Sequence, residues 1–314
     1  MNNGFGLDAI LSLANYLLVQ KQDEADAVLE KYKTDVAAMY HGRVDDVDFK
    51  TNGAKIMSDV NQWVKNQTRG LIDSILSQVP SSDTRVILLN AIYFKDKWQH
   101  QFVKELTGKR KFYNKGLQTG NGAVTDFMMS LDDHWSYKDL QISGEQVQVL
   151  EMPYESGNRS MLIFLPEKKD GLTTMLSASN FTDAFSEALT SINDMRRPKV
   201  NVYIPKFELK TEYSLKPTLQ SLGITDVFDP TKADLSGITE KEKLVVSKVT
   251  HKAYVKVDEE GTEAAALTAI QTVAVMAYFP QPPPIVFRAD HPFLFLIRDR
   301  VTGLILFMGK VEEL

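Results

Sequence analysis

Along this chain the spacing of apolar residues changes several times, and each change marks the edge of an element. Asp23–His41 and Ala54–Val79 repeat apolar residues every three or four positions, which predicts two amphipathic helices. Thr84–Trp98 (TRVILLNAIYFKDKW) is densely apolar and predicts a strand buried on both faces. Val147–Glu155, Ser160–Pro166 and Lys199–Tyr213 read as further strands. Thr211–Ile224 reads as a helix stopped at Gly223. Lys243–Gly261 alternates as one long strand, and His291–Val311 reads as a hairpin turning at Thr302-Gly303. There is no internal repeat and no linker between two compositions, so the pattern predicts one mixed α+β domain over residues 1–314.

The stretch from Val257 to Phe287 fits none of these templates. Ala264, Ala265, Ala266 and Leu267 favour a short helix capped by Thr262, while Thr268, Ile270, Thr272, Val273 and Val275 favour a strand. Taken at alternate positions, Thr262, Ala264, Ala266, Thr268, Ile270 and Thr272 form one face that is mostly small and uncharged. Such a face could settle on a packed core without overfilling it. The other face holds Glu263 and Gln271. The stretch therefore reads as a strand in waiting, and since exposed strands of this kind are normally suppressed, it calls for a functional reason.

Composition narrows the function only a little. Of 314 residues 43% are hydrophobic and 25% charged, an ordinary globular balance. The net charge of −5 gives no nucleic-acid footprint, and no apolar run is long enough for a membrane span. Without cysteine there is no disulfide framework and no thiolate metal site. HExxH, the P-loop and GxSxG are all missing, which argues against an enzyme. Asn66, Asn158 and Asn180 head Asn-x-Ser/Thr sequons, candidate glycan acceptors if the chain enters the secretory pathway.

A family resemblance is carried by blocks in a fixed order. They include LANYLLVQ (Leu13–Gln20), NAIYFKDKW (Asn90–Trp98), LEMPYE (Leu150–Glu155), SMLIFLP (Ser160–Pro166) and YIPKFEL (Tyr203–Leu209). LGITDVF (Leu222–Phe228), VTHKAYVKVDEEG (Val249–Gly261), EEGTEAAA (Glu259–Ala266), DHPFLFLI (Asp290–Ile297) and ILFMGKV (Ile305–Val311) follow. Together they resemble the serpins, serine-protease inhibitors that trap their target. The resemblance implies an α+β fold with a large central, mostly antiparallel sheet, two further sheets, surrounding helices and an exposed reactive-centre loop at about 259–287. It implies a suicide substrate rather than an enzyme. Serpins are a known example of loop insertion into a sheet, so that mechanism comes with the family. The match begins at the family's second central strand, which implies that the family's leading helices lie outside these residues. A chain so shortened is expected to be poorly soluble or to melt at low temperature.

The same resemblance assigns residues. Glu259, Glu260, Gly261, Thr262, Glu263, Ala264, Ala265 and Ala266 match the hinge of the loop. Lys206 matches the partner of Glu259, a pair that would otherwise rank as a surface ion pair worth about 0–1 kcal/mol. Asn90 and His251 match the polar pair beneath the point where the large sheet parts, and Trp98 matches a tryptophan under that gap. All four are mechanical rather than catalytic, and no cofactor or metal is implied. Family spacing from Gly261 puts the scissile residue at Val275. The segment before Pro292 is longer than usual, so the candidates run through Val275, Met276, Ala277, Tyr278 and Phe279. No Lys or Arg lies between Glu260 and Arg288, which disfavours a trypsin-like target. Val275, Met276 and Ala277 suit elastase-like pockets; Tyr278 and Phe279 suit chymotrypsin-like ones, with Pro280 hindering cleavage after Phe279.

The expected partner is thus a chymotrypsin-like or elastase-like serine protease, met extracellularly by a secreted monomer, with neither nucleic acid nor membrane involved. The alternative is a non-inhibitory serpin acting as carrier, chaperone or binding protein, although the intact GTEAAA hinge argues for inhibition. Leu267 is bulkier than hinges usually carry and is expected to slow insertion. Lys104, Lys109, Arg110, Lys111 and Lys115, and separately Arg196, Arg197 and Lys199, form basic clusters that a glycosaminoglycan could use.

Overall fold

In a computed structural model, residues 10–21, 28–116, 122–239, 243–262 and 282–314 are described. In chain order the elements are β1 (Ile10–Gln20), α1 (Glu30–Tyr40), β2 (Gly42–Val47), α2 (Phe49–Gln67) and β3 (Val86–Lys97). Next come β4 (Gly108–Phe112), β5 (Ala123–His134), β6 (Ser136–Ile142), β7 (Glu145–Pro153) and β8 (Arg159–Pro166). They are followed by α3 (Gly171–Ser177), α4 (Phe181–Ser191), β9 (Lys199–Pro205), β10 (Phe207–Ser214) and α5 (Lys216–Ser221). The chain closes with β11 (Val246–Val257), β12 (Gly261–Thr262), β13 (Ile285–Arg288), β14 (Phe293–Asp299) and β15 (Ile305–Val311). Among the described residues they divide between two compact units, one within 10–94 and 208–255, the other within 95–207 and 256–314.

The first unit is built on a sheet of order β10-β11-β3-β1-β2. Its β1–β2 and β3–β11 pairs are parallel, so the sheet is mixed. Ile87, Leu89, Ala91 and Tyr93, alternate residues of β3, are all buried, whereas Leu88 on the other face is 38% exposed. The buried side packs on α2 through Ile56, Val60 and Val64, one face of a helix at four-residue spacing. Asp48 caps α2 by accepting from the backbone of Lys50 at 3.0 Å and Thr51 at 3.4 Å. The helix expected over Ala54–Val79 stops twelve residues early. Thr68 returns its hydroxyl to the Val64 carbonyl at 2.8 Å, and Arg69 and Gly70 take positive φ. Ile72, Ile75 and Leu76 remain in the core without a helix because the Asn61 side chain binds the Ile75 and Leu76 amides at 2.8 and 2.9 Å. Their apolar spacing imitates a helical face.

Further on, the strand and helix expected to overlap at 211–213 resolve in favour of the strand, and only Lys216–Ser221 is helical. Gly223 does end that segment, at φ 92°. The helix expected over Asp23–His41 is formed by Glu30–Tyr40, and 22–27 lie outside the described residues.

The second unit holds the two remaining sheets, of order β13-β9-β5-β4 and β15-β14-β8-β7-β6. The single strand expected over Lys199–Tyr213 breaks at Lys206: β9 joins the four-stranded sheet and β10 the large one. β8 is buried along its whole length, and Phe164 packs against Phe185 of α4 at a centroid distance of 5.1 Å. The terminal hairpin forms as expected, with Gly303 at φ 75° and Asp299 accepting from the Val301 and Thr302 amides. Phe164→Ala is expected to destabilise by about 3–5 kcal/mol through lost burial and a residual cavity, read as a lower urea midpoint at unchanged slope.

Candidate functional site

β11 ends in a reversal that places the residues before the loop. Asp258 and Gly261 exchange two backbone hydrogen bonds, 3.0 Å from the Asp258 amide and 3.3 Å from the Gly261 amide, so Glu259 and Glu260 sit at the tip of a tight turn. Gly261 leaves the turn at φ 146°, a region that L side chains rarely adopt. A Cβ there would lie 2.3 Å from the Asp96 carbonyl oxygen and 2.6 Å from the Lys97 Cα. Backbone conformation and close approach both require glycine. Beyond it, Gly261 and Thr262 pair antiparallel with Lys97 and Asp96 of β3.

The three carbonyls of the turn are held from one side. The Trp98 indole donates to the Asp258 oxygen at 2.9 Å, the Phe102 amide to Glu259 at 2.8 Å, and the Trp98 amide to Glu260 at 2.9 Å. Trp98 is itself buried and stacked on Tyr154 at 4.6 Å. Both glutamates are buried, at 4% exposure each. Buried carboxylates need cations or donors. Lys206 Nζ sits 2.9 Å from Glu259 Oε2 and 3.1 Å from Oε1, and the Thr107 hydroxyl donates to Oε1 at 2.8 Å. Lys104 hydrogen-bonds Glu260 Oε1. Burial pushes the Glu259 carboxyl up, but Lys206, a backbone amide and Thr107 more than offset it, so its pKa is lowered. Asp258 and Asp96 go the other way, both raised chiefly by burial.

In the other unit, Asn90 on β3 faces His251 on β11 in register. Their side chains meet at 2.6 Å between Asn90 Oδ1 and His251 Nδ1. Asn90 Nδ2 donates to Asn15 Oδ1 at 2.6 Å, and Asn15 Nδ2 to the Tyr40 carbonyl at 2.9 Å. Both amides are spent as donors in one direction, so His251 must carry its proton on Nδ1. The result is a one-way polar ladder across β11, β3 and β1, with Tyr213 of β10 stacked on the imidazole at 6.4 Å. Burial lowers the His251 pKa.

Several of these residues escaped the sequence reading. Lys104 was visible only as one of a basic run, and its tie to Glu260 spans 156 positions. Asn15, a single amide on an apolar strand, was the available sign of the ladder's third member. Thr107 carried no signal. Glu263 to Ala266, Leu267 and the cleavage candidates Val275 to Phe279 fall outside the described residues, and only the backbone of Thr262 is described. Asn66, Asn158 and Asn180 are all exposed.

Comparison with known proteins agrees with this geometry. The family model described as Serpin (serine protease inhibitor) matches residues 5–314, and the chain belongs to that family. Iripin-2 of Ixodes ricinus is 40% identical over 311 residues, 98% of this chain and 73% of its own length. The crystal structure of Serpin48, from the insect Tenebrio molitor, is similar with a TM-score of 0.82 and 29% identity, over 99% of this chain and 78% of that one. The structure of thyroxine-binding globulin in complex with thyroxine is similar with a TM-score of 0.81 and 27% identity, over 99% and 77%. Serpins as a family target proteases and are not catalysts. No helix among the described residues is long and apolar enough to cross a membrane.

Lys206→Met should strip the Glu259 carboxylate of its cation and destabilise by about 1–3 kcal/mol, seen as a lower thermal midpoint. A group whose folded pKa is depressed adds stability that is complete above its ordinary value and lost as pH falls through the folded one. For Glu259 the ordinary value is 4.5, so the midpoint difference between wild type and Glu259→Gln should shrink below it. For His251 it is 6.5, so acidification through its lower folded value should weaken the wild type more than His251→Gln.

Proposed function

We propose that the chain is a suicide-substrate inhibitor of chymotrypsin-like or elastase-like serine proteases. The loop is the bait. The protease serine Oγ forms an ester with the carbonyl of a residue within Val275–Phe279, and the following residue leaves as a free amine. The released arm then enters the large sheet between β3 and β11 and carries the acyl-enzyme with it before water can resolve the ester. The supporting observation is the start of that path: Gly261 and Thr262 pair antiparallel with the last residues of β3. An arm continuing in that direction would run antiparallel to both β3 and β11, which are parallel to each other. It would complete ladders on both sides, a gain of about 0.5–1.5 kcal/mol for each net hydrogen bond.

In this reading Lys206 with Glu259, and Trp98 over the turn, fix where insertion begins, while Asn90 and His251 form the seam that must part. The ladder suits that task because amides and a neutral imidazole exchange partners without exposing a bare charge. The whole chain acts as one serpin domain and as a monomer. We place it outside the cell, where the exposed Asn66, Asn158 and Asn180 would carry glycans. No Lys or Arg stands between Glu260 and Arg288, which supports this protease class over a trypsin-like one.

A second reading, a binding protein, has one observation in its favour. A cleft of about 330 Å³ lies beside α4 and β14, lined by Leu189, Asn193, Leu296, Arg298, Arg300 and Ile305. That volume is at the low end of small-molecule sites.

Incubation with chymotrypsin or elastase should give an SDS-stable complex, and trypsin should give none. Nicking the loop should raise the thermal midpoint, and Leu267→Ala should increase the trapped fraction. Cleavage with full release of active protease and an unchanged midpoint would leave the binding-protein reading.

A further inference from the structure

The outer face of the four-stranded sheet carries a cluster that the hinge and the ladder do not use. Val202, Ile204, Met128 and Phe287 point inward and are fully buried. Their neighbours Tyr203, Met129 and Arg288 therefore share the opposite face. Tyr203 is flanked by two guanidinium groups, that of Arg110 from β4 at 4.8 Å and that of Arg288 from β13 at 5.0 Å from the ring centroid. Arg110 Nη2 also reaches the Met129 sulfur at 3.1 Å. These four side chains join all four strands of the sheet.

Their charge has no internal counterpart. In the basic run around Arg110, Lys104 is taken by Glu260, Lys109 by Asp126 at 3.0 Å and Lys115 by Glu313 at 3.4 Å. Among the described residues no carboxylate pairs with Arg110 or Arg288, and Arg110 Nε is buried without an acceptor. Stacking on an aromatic ring orients a guanidinium and leaves its in-plane donors available for a carboxylate. Tyr, Met and Arg are the residues enriched at protein interfaces, and Lys is depleted there. A sulfated glycan would instead draw on lysines, and in this run internal acids hold three of the four, leaving only Lys111. The composition favours an acidic protein surface.

The sequence indicates which protein could be held there. Nine positions separate Phe279 from Arg288 and thirteen separate Val275 from it. A protein gripped on that stretch stays within about 30–45 Å of Arg288 even if the chain between is fully extended. A protease domain is itself roughly 40 Å across. We propose that the Arg110–Tyr203–Arg288 face docks an acidic patch of the protease engaged on the loop, steering its approach and selecting among proteases of equal cleavage preference. The proposal rests on the inhibitor reading.

The test uses two elastase-like or chymotrypsin-like proteases that cut the loop at one bond, one with an acidic surface and one with a basic surface. Each has its catalytic serine replaced by alanine, so that docking is read without trapping. Association rates are measured for the full chain, for Arg288→Glu and for the double variant Arg110→Gln/Arg288→Gln, at low and at high salt. Both variants should lose roughly tenfold or more in association rate with the acidic protease at low salt, with the deficit shrinking at high salt. The basic protease should gain or stay level. Wild-type rates for Arg288→Glu with the acidic protease would overturn the proposal, as would failure of the wild type to bind either inert protease. So would a loss confined to retention on heparin, which would reassign the face to a glycan. Arg288 is exposed, so its single variant carries the test if the double one folds poorly. Failure of the inhibitor reading looks different: the inert acidic protease docks, yet the active one is never trapped.

Discussion

The structure around the loop depends on one steric constraint, the absence of a side chain at Gly261. There the chain must leave a two-residue turn and lie against the backbone of β3 with no room for a methyl group. Because that approach is so close, the turn can offer three carbonyls to Trp98 and Phe102 and can start an antiparallel pairing at once. The same closeness buries Glu259 and Glu260, and burial makes Lys206, Thr107 and Lys104 necessary. A larger residue at 261 would therefore disturb the charge network as well as the backbone.

The Asp258–Gly261 turn and the ladder solve different physical problems. At the turn, charges are buried and are matched by Lys206 and Lys104; removing one partner leaves the other stranded in a poor dielectric. Such an arrangement is direction-specific and resists drift. The Asn15–Asn90–His251 ladder is neutral, with each amide donating one way. Neutral donors and acceptors lose less when they part and can be re-satisfied by another strand's polar groups. A sheet that holds firmly in one state yet admits a further strand would combine features of both kinds.

The family assignment also changes how the surface charge reads. A run of five basic residues looked like a place for a polyanion, yet most of its lysines are tied to acids of the same chain. What stays outward, beside Lys111, is an arginine pair on a tyrosine, a directional contact rather than a diffuse field. Proteases that share a pocket preference differ in their surface charge, so a contact of this type can discriminate where the loop residues alone do not.

The chain by itself determined its class. Ordered blocks from Leu13 to Val311 carry the family, and short-range chemistry was legible wherever neighbours in sequence decide the geometry. The Thr302-Gly303 hairpin, the stop at Gly223 and the amphipathic part of α2 from Ala54 onward are of that kind, although its start at Phe49 was not. Tertiary structure decided the rest, because apolar spacing reports burial and not the element that is buried. Ile72, Ile75 and Leu76 keep helical spacing while Asn61 holds them in an irregular segment. One apparent strand divides at Lys206 between two sheets, a division that the alternation of its residues does not mark. The mixed order of the large sheet, the tie from Lys104 to Glu260 and the pairing of Arg110 with Arg288 across Tyr203 join residues far apart in the chain, and only folding brings such groups within reach of one another.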